Sequence, residues 1–187
     1  METETETITQ HEAIFQTLRP ITTEFIIFAG GTAIYNGGPS FGPPLETPNP
    51  GGSLLTVQQE ETNDNILLYI ARLLRDNEAY WVNLHGHANP IAFDDGERDE
   101  LMALSLTRAT AVHEKLKGLF IVESGLDLTG CIFPLMTCTC PACRNFEKRA
   151  RSSGYGGEHL QMTNVGPNTF LNRRVEVIIF AINTERN

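Results

Sequence analysis

Tyr80-Trp81-Val82-Asn83-Leu84-His85-Gly86-His87-Ala88-Asn89 is the stretch on which the reading of this chain turns. Tyr80, Val82 and Leu84 fall on one side and Trp81, Asn83 and His85 on the other, the period-two alternation of a half-buried strand. The alternation stops at Gly86, and the residues after it read as a loop leaving the strand's C-terminal end. Upstream, Ile66, Tyr69, Ile70, Leu73 and Leu74 repeat at helical spacing, with Thr62 or Asn63 as a cap and Arg72, Arg75 and Asp76 on the other faces. Downstream, Ser105 reads as the N-cap of a second helix whose core face is Ala109, Val112 and Leu116. Phe25 to Phe28 reads as a first buried strand ending at Gly30-Gly31. Val175 to Ile182 alternates between two fairly apolar faces, as an interior strand does.

The order strand, helix, strand, helix, further strand predicts an α+β fold, and 187 residues suit one domain with long loops. Residues 1–20 read as a polar lead-in, with a short helix over His11 to Leu18 stopped by Pro20; residues 21–187 read as a single domain. From Gly37 to Ser53 the density of Gly and Pro predicts a long loop, either a solvated flap or a lid over a groove. The net charge of −9 argues against a surface that tracks nucleic-acid phosphates or docks on anionic lipid. No apolar run reaches the roughly 20 residues of a membrane-spanning helix. Met1 to Glu6 is acidic and Thr-rich, which does not read as the start of a signal peptide.

Four separated stretches, Gly86-His87-Ala88-Asn89, Leu104-Ser105-Leu106-Thr107-Arg108-Ala109, Gly154-Tyr155-Gly156-Gly157-Glu158 and Asn172-Arg173-Arg174-Val175-Glu176, occur in this order. In that order the chain resembles the OmpA-like domain, the peptidoglycan-associated module of OmpA, Pal and MotB. The resemblance implies a βαβαβ(β) sandwich with a mixed sheet on two main helices, and a location in the periplasm or cell envelope; the acidic start leaves the cytoplasm open. It also implies a non-catalytic partner role toward the diaminopimelate of the peptidoglycan stem peptide. Such a ligand end carries a carboxylate, which a forked guanidinium suits, and an ammonium, which an oxygen acceptor suits. By the motif, Arg108 takes the carboxylate, Asn89 with the backbone of Ala88 the ammonium, Leu104 the aliphatic stem, and Arg173 stands near the site. Arg174 is left for an ion pair.

The sequence departs from the family pattern at Asn89, where the family has Asp, and at Glu100-Leu101, where it has Tyr-Asn. The intervening loop is longer and carries Asp94, Asp95, Glu97, Asp99 and Glu100. Gly154 and Gly156 read as backbone devices for a turn and for close approach of strands. His85 and His87 share a strand face at i and i+2 and read as buried or half-buried histidines in preference to metal ligands.

Cys131, Cys138, Cys140 and Cys143 fall within a segment, 130–151, that the family does not normally have. Three states stay open: one or two disulfides, a four-thiolate structural zinc, or thiols. Arg144, Lys148, Arg149 and Arg151 stand beside them and would favour thiolates. No cofactor is otherwise implied. No nucleophile–base motif, zinc-protease motif or phosphate loop occurs, so the chain reads as a binding module and not an enzyme. A scaffold that keeps the fold and has lost the ligand, with the cysteine segment as its working surface, is the second reading.

Overall fold

A computed structural model describes residues 20–29, 33, 35, 55–89, 95–125, 140–157 and 169–182. The helix expected over His11 to Leu18, the loop Gly37 to Ser53, Cys131 and Cys138 lie outside these residues.

Among the described residues four strands form one mixed sheet. β1 (Thr22–Ile27), β2 (Tyr80–Gly86), β3 (Ala150–Gly154) and β4 (Arg174–Ala181) stand in the order β1-β4-β2-β3. β4 pairs antiparallel with both β1 and β2, while β2 and β3 are parallel. The doubly apolar β4 is therefore interior, as its sequence predicts. A parallel pair needs a crossover. Here it is made by α2 (Asp95–Glu123) and α3 (Pro141–Arg149), while α1 (Val57–Asp76) joins β1 to β2. Both long helices cover the sheet face that carries Ile26, Val82, Leu84, Val175, Val177 and Ile179, and these residues close one core with Leu67, Ile70, Leu74, Val112, Leu116 and Phe146.

Several expectations are corrected. β1 is an edge strand with one buried face: Ile26 is buried, but Phe25 is 42% exposed. α1 begins at Val57, not after Thr62 or Asn63. Its N-cap is Thr56, whose Oγ1 accepts the Gln59 N–H while Gln59 Oε1 accepts the Thr56 N–H. This capping box precedes a polar, exposed first turn that shows no apolar period. Asn63 is buried mid-helix, where its amide accepts from the Ile27 N–H at 3.1 Å and donates to the Ile27 carbonyl at 2.9 Å, tying α1 to the end of β1. Tyr69, expected on the apolar stripe, is 51% exposed.

α2 begins at Asp95, so Ser105 is not a cap but a buried residue in the middle of a helix. It sits where α2 meets the sheet backbone to backbone. A Cβ on Gly86 would lie 1.9 Å from the Ser105 carbonyl oxygen, and one on Gly154 would lie 2.7 Å from the Leu106 nitrogen. The close approach is thus of helix to strands, not of strand to strand. The Ser105 hydroxyl donates to the Met102 carbonyl and accepts from the Gly156 N–H at 2.9 Å, and Gly156 itself has φ +56°.

The far ends of the helices are held by charge. Arg72 and Arg75 of α1 both pair with Glu123 at the end of α2. Arg149 is buried, and its guanidinium donates to the Leu74 carbonyl at 2.8 Å and the Asn77 carbonyl at 3.1 Å, satisfying the C-terminal end of α1.

Gly86→Ala is expected to destabilise the domain by about 3 kcal/mol or more, because the new methyl meets backbone and not a yielding side chain. Gly125→Ala, at φ +69° with open space around it, serves as a control costing about 1 kcal/mol. Urea titrations compare the two; equal costs would contradict the tight seam.

Candidate functional site

Three stretches separated in sequence meet at the C-terminal end of β2. The loop after β2 supplies His87, Ala88 and Asn89; α2 supplies Leu104 and Arg108; the chain entering β4 supplies Asn172, Arg173 and Arg174. The loop is fixed by backbone hydrogen bonds. His87 N–H donates to the Arg174 carbonyl at 2.8 Å, and Ala88 N–H donates to the Gly156 carbonyl at 2.8 Å. Ala88 is itself buried.

Arg108 lies one turn along α2 from Leu104, which is half-buried. Its Nη1 donates to the His87 carbonyl at 2.9 Å, and its guanidinium carbon stands 5.5 Å from the centroid of the Phe28 ring. Arg173 reaches the same place from the other side: its Nε donates to the Phe28 carbonyl at 3.3 Å, and its own carbonyl accepts the Phe28 N–H at 2.7 Å. Arg108 is 1% and Arg173 4% exposed. Burial lowers the pKa of Arg108 to about 9, and the nearby Arg173 charge acts in the same direction. The guanidinium is still charged at neutral pH. Burial likewise lowers the Arg173 pKa. An anion placed between these groups would offset both effects.

The sequence assigns Asn89 an open oxygen acceptor. In the structure that oxygen already accepts from the Asn172 side chain at 2.8 Å. Asn172, fully buried, is a residue of this cluster that site reasoning on the sequence missed, although it opens one of the four motifs. Phe28 is another: nothing in its apolar run signals that its ring lies under a guanidinium. Of the acidic residues in the loop before Arg108, Asp99 and Glu100 are exposed at the start of α2, and the side chains of Asp94, Asp95 and Glu97 lie outside the described residues.

Adjacent strand residues point to opposite faces, and Arg174 turns to the side of the sheet away from Arg108. There its Nε donates to Glu176 at 3.0 Å, and its guanidinium stands over the Phe25 ring. The His87 imidazole faces the same carboxylate at 3.6 Å and stacks on Tyr155 with ring centroids 5.6 Å apart. His85 also contacts Tyr155. Among the described residues no group of three or more His, Cys, Asp or Glu side chains is placed to hold a metal ion.

His87 and Arg174 together hold the Glu176 carboxyl down, against the opposing effect of burial, from the ordinary 4.5 to about 2. Because the folded value lies below the ordinary one, ionised Glu176 favours folding fully above about pH 4.5, and that contribution fades as pH falls toward 2. It amounts to on the order of 3 kcal/mol. Unfolding midpoints measured from pH 7 to pH 2 are expected to fall more steeply in the wild type than in Glu176→Gln. The variant is less stable at pH 7 and converges on the wild type at the acid end; parallel curves would remove Glu176 from the account.

No protein-family model matches this chain, and no curated protein matches it by sequence. Solved structures do. The OmpA-like domain of FopA1 from Francisella tularensis superposes with a TM-score of 0.51 at 15% identity, covering 86% of this chain and 73% of that one. The peptidoglycan-associated lipoprotein of Burkholderia pseudomallei gives 0.49 at 13% identity, with 83% and 88% covered. A periplasmic domain of Helicobacter pylori MotB gives 0.47 at 13%, with 90% of each chain covered. On the first of these likenesses, with the sheet order and helix placement described above, the chain has the OmpA-like fold.

Proposed function

We propose that this domain is a non-catalytic module that binds the diaminopimelate-containing stem peptide of peptidoglycan and so anchors a protein or envelope layer to the cell wall. The observation that carries the reading is the meeting of Arg108, Arg173 and Asn89 at one end of β2, from three stretches that match the OmpA-like motifs. In this reading a ligand carboxylate is taken by Arg108 with Arg173 behind it. Charge-assisted bidentate contacts are the strongest such groups make. Asn89 offers the ammonium end its amide oxygen, shared with Asn172, and Leu104 packs against the aliphatic stem. A neutral amide in place of a carboxylate weakens that contact, since a hydrogen bond between neutral groups nets about 0.5–1.5 kcal/mol against about 1.5–3 for one with a charged partner. The cell envelope is the compartment this function requires.

The burial of Arg108 and Arg173 favours a second reading, in which both guanidiniums are structural clasps on backbone carbonyls and the domain is a scaffold without the ligand.

Co-sedimentation with diaminopimelate-type sacculi separates the two. The wild type is expected to pellet, Asn89→Asp to pellet more, and Arg108→Lys to lose about tenfold in affinity because Lys cannot fork onto a carboxylate. Soluble stem peptide is expected to release the wild type. Circular dichroism confirms that each variant is folded. A folded wild type that stays in the supernatant at every concentration eliminates the wall anchor and leaves the scaffold.

A further inference from the structure

Cys140-Pro141-Ala142-Cys143 is absorbed by nothing above. The four residues open α3, and the structure gives each cysteine a distinct place. Cys140 is the N-cap, half-buried, and its Sγ accepts the Cys143 N–H at 3.4 Å. Cys143 is in the first turn with no exposed surface. Both carry thiols. Pro141 at the first helical position fixes the turn between them without wasting an N–H. The spacing i and i+3 puts the two cysteines on the same side of the first turn, where the Cys143 N–H already meets the Cys140 sulfur. Negative charge on a sulfur at this position faces the N–H groups of the first turn, and one of them already reaches Cys140.

The surroundings of Cys143 point the same way. Of the four basic residues expected to serve the thiols, two are engaged elsewhere, Arg149 at the end of α1 and Arg151 on the Glu147 and Ala150 carbonyls, while Arg144 and Lys148 are exposed. A further cation reaches this helix from α2, at Glu147, one turn along from Cys143. The Lys117 side chain has no exposed surface and its Nζ pairs with Glu147 at 2.7 Å. Burial works against its charge, but the Glu147 hydrogen bond prevails and raises its pKa, with Glu114 and the Cys143 thiol adding to the effect. His113 Nε2 donates to the Glu147 carboxylate at 3.2 Å, and its Nδ1 shares a hydrogen bond with the Ser152 hydroxyl at 3.0 Å, so the ion pair is braced on β3. A buried ammonium is costly; placed beside a thiol, it stabilises the thiolate and can exchange a proton with it.

We propose that Cys140 and Cys143 form a redox-active dithiol that exchanges with disulfides, with Cys140 as the attacking thiol, Cys143 as the resolving thiol and Lys117 as the charge beside it. With a disulfide RSSR, the Cys140 thiolate attacks one sulfur, forming the mixed disulfide Cys140–SR and expelling the first RS−. The Cys143 thiolate then attacks Cys140 Sγ, closing the Cys140–Cys143 bond and expelling the second RS−. RSSR gains two electrons and becomes two thiols by taking up the two protons the cysteines release. The fold stabilises the reduced pair through the N–H contact and Lys117, which makes the disulfide form the more oxidising.

The test uses the full chain with all other cysteines in place and glutathione disulfide as the probe, followed by mass spectrometric mapping. The wild type is expected to yield an internal Cys140–Cys143 disulfide and two equivalents of glutathione. Cys143→Ser is expected to stop at a glutathione adduct on Cys140, formed about tenfold faster than any adduct on Cys143 in Cys140→Ser. Lys117→Met, checked for folding, is expected to move the pH midpoint of the resolving step upward. Mapping that places the oxidised bond elsewhere, adducts forming equally in the two serine variants, or one firmly held zinc per reduced chain that each variant releases would overturn the dithiol; an unmoved midpoint would remove Lys117 from it.

Discussion

The seam between α2 and the β2–β3 pair is the constraint on which the rest of the molecule depends. A helix normally stands about 10 Å off a sheet on its side chains, but Ser105 and Leu106 lie against Gly86 and Gly154 with no room for a methyl between them. The Ser105 hydroxyl completes the join through Gly156. Because α2 is rigid, this contact sets the depth of everything one turn further along. Arg108 is thereby lowered onto the His87 carbonyl, and Ala109, Val112 and Leu116 are pressed into the core. A wider seam would lift Arg108 out of reach of the loop it holds.

The molecule buries an unusual set of cations: Arg108, Lys117, Arg149, Arg173 and Arg174. Desolvating a charge costs several kcal/mol unless hydrogen bonds and counter-charges offset it. Three of the arginines meet that cost on backbone carbonyls, at His87, at Leu74 with Asn77, and at Phe28. Each such contact ties the end of one element to another distant in sequence. Arg174 and Lys117 instead meet carboxylates, Glu176 and Glu147. Guanidinium suits the carbonyl role, since its planar fork reaches several acceptors without losing its charge.

The two functional ideas occupy different parts of this framework. The Arg108 cluster sits where the loop after β2 meets the start of β4, while the Cys140–Cys143 pair opens the short helix that precedes β3. They share α2, whose Arg108 and Lys117 are separated by two and a half turns. Both cations are buried on one helix, and its position is fixed by the glycine seam.

The sequence by itself determined the period-two strands, read at 80–85 and 175–182, the helical face of Ala109, Val112 and Leu116, and the interior place of β4, because periodicity records locally which side of an element is buried. The four ordered motifs carried the resemblance to the OmpA-like fold. The tertiary structure alone decided what the polar residues do. Asn63 and Ser105 have the side chains of helix caps, yet both are buried mid-helix because their partners, Ile27 and Gly156, arrive from 36 and 51 residues away. Lys117 meets Glu147, which arrives from 30 residues away, and Asn172 rather than solvent occupies the Asn89 oxygen. A hydrogen bond is made by whichever group the closed chain brings within reach, and that distance is not written in the spacing of residues along it.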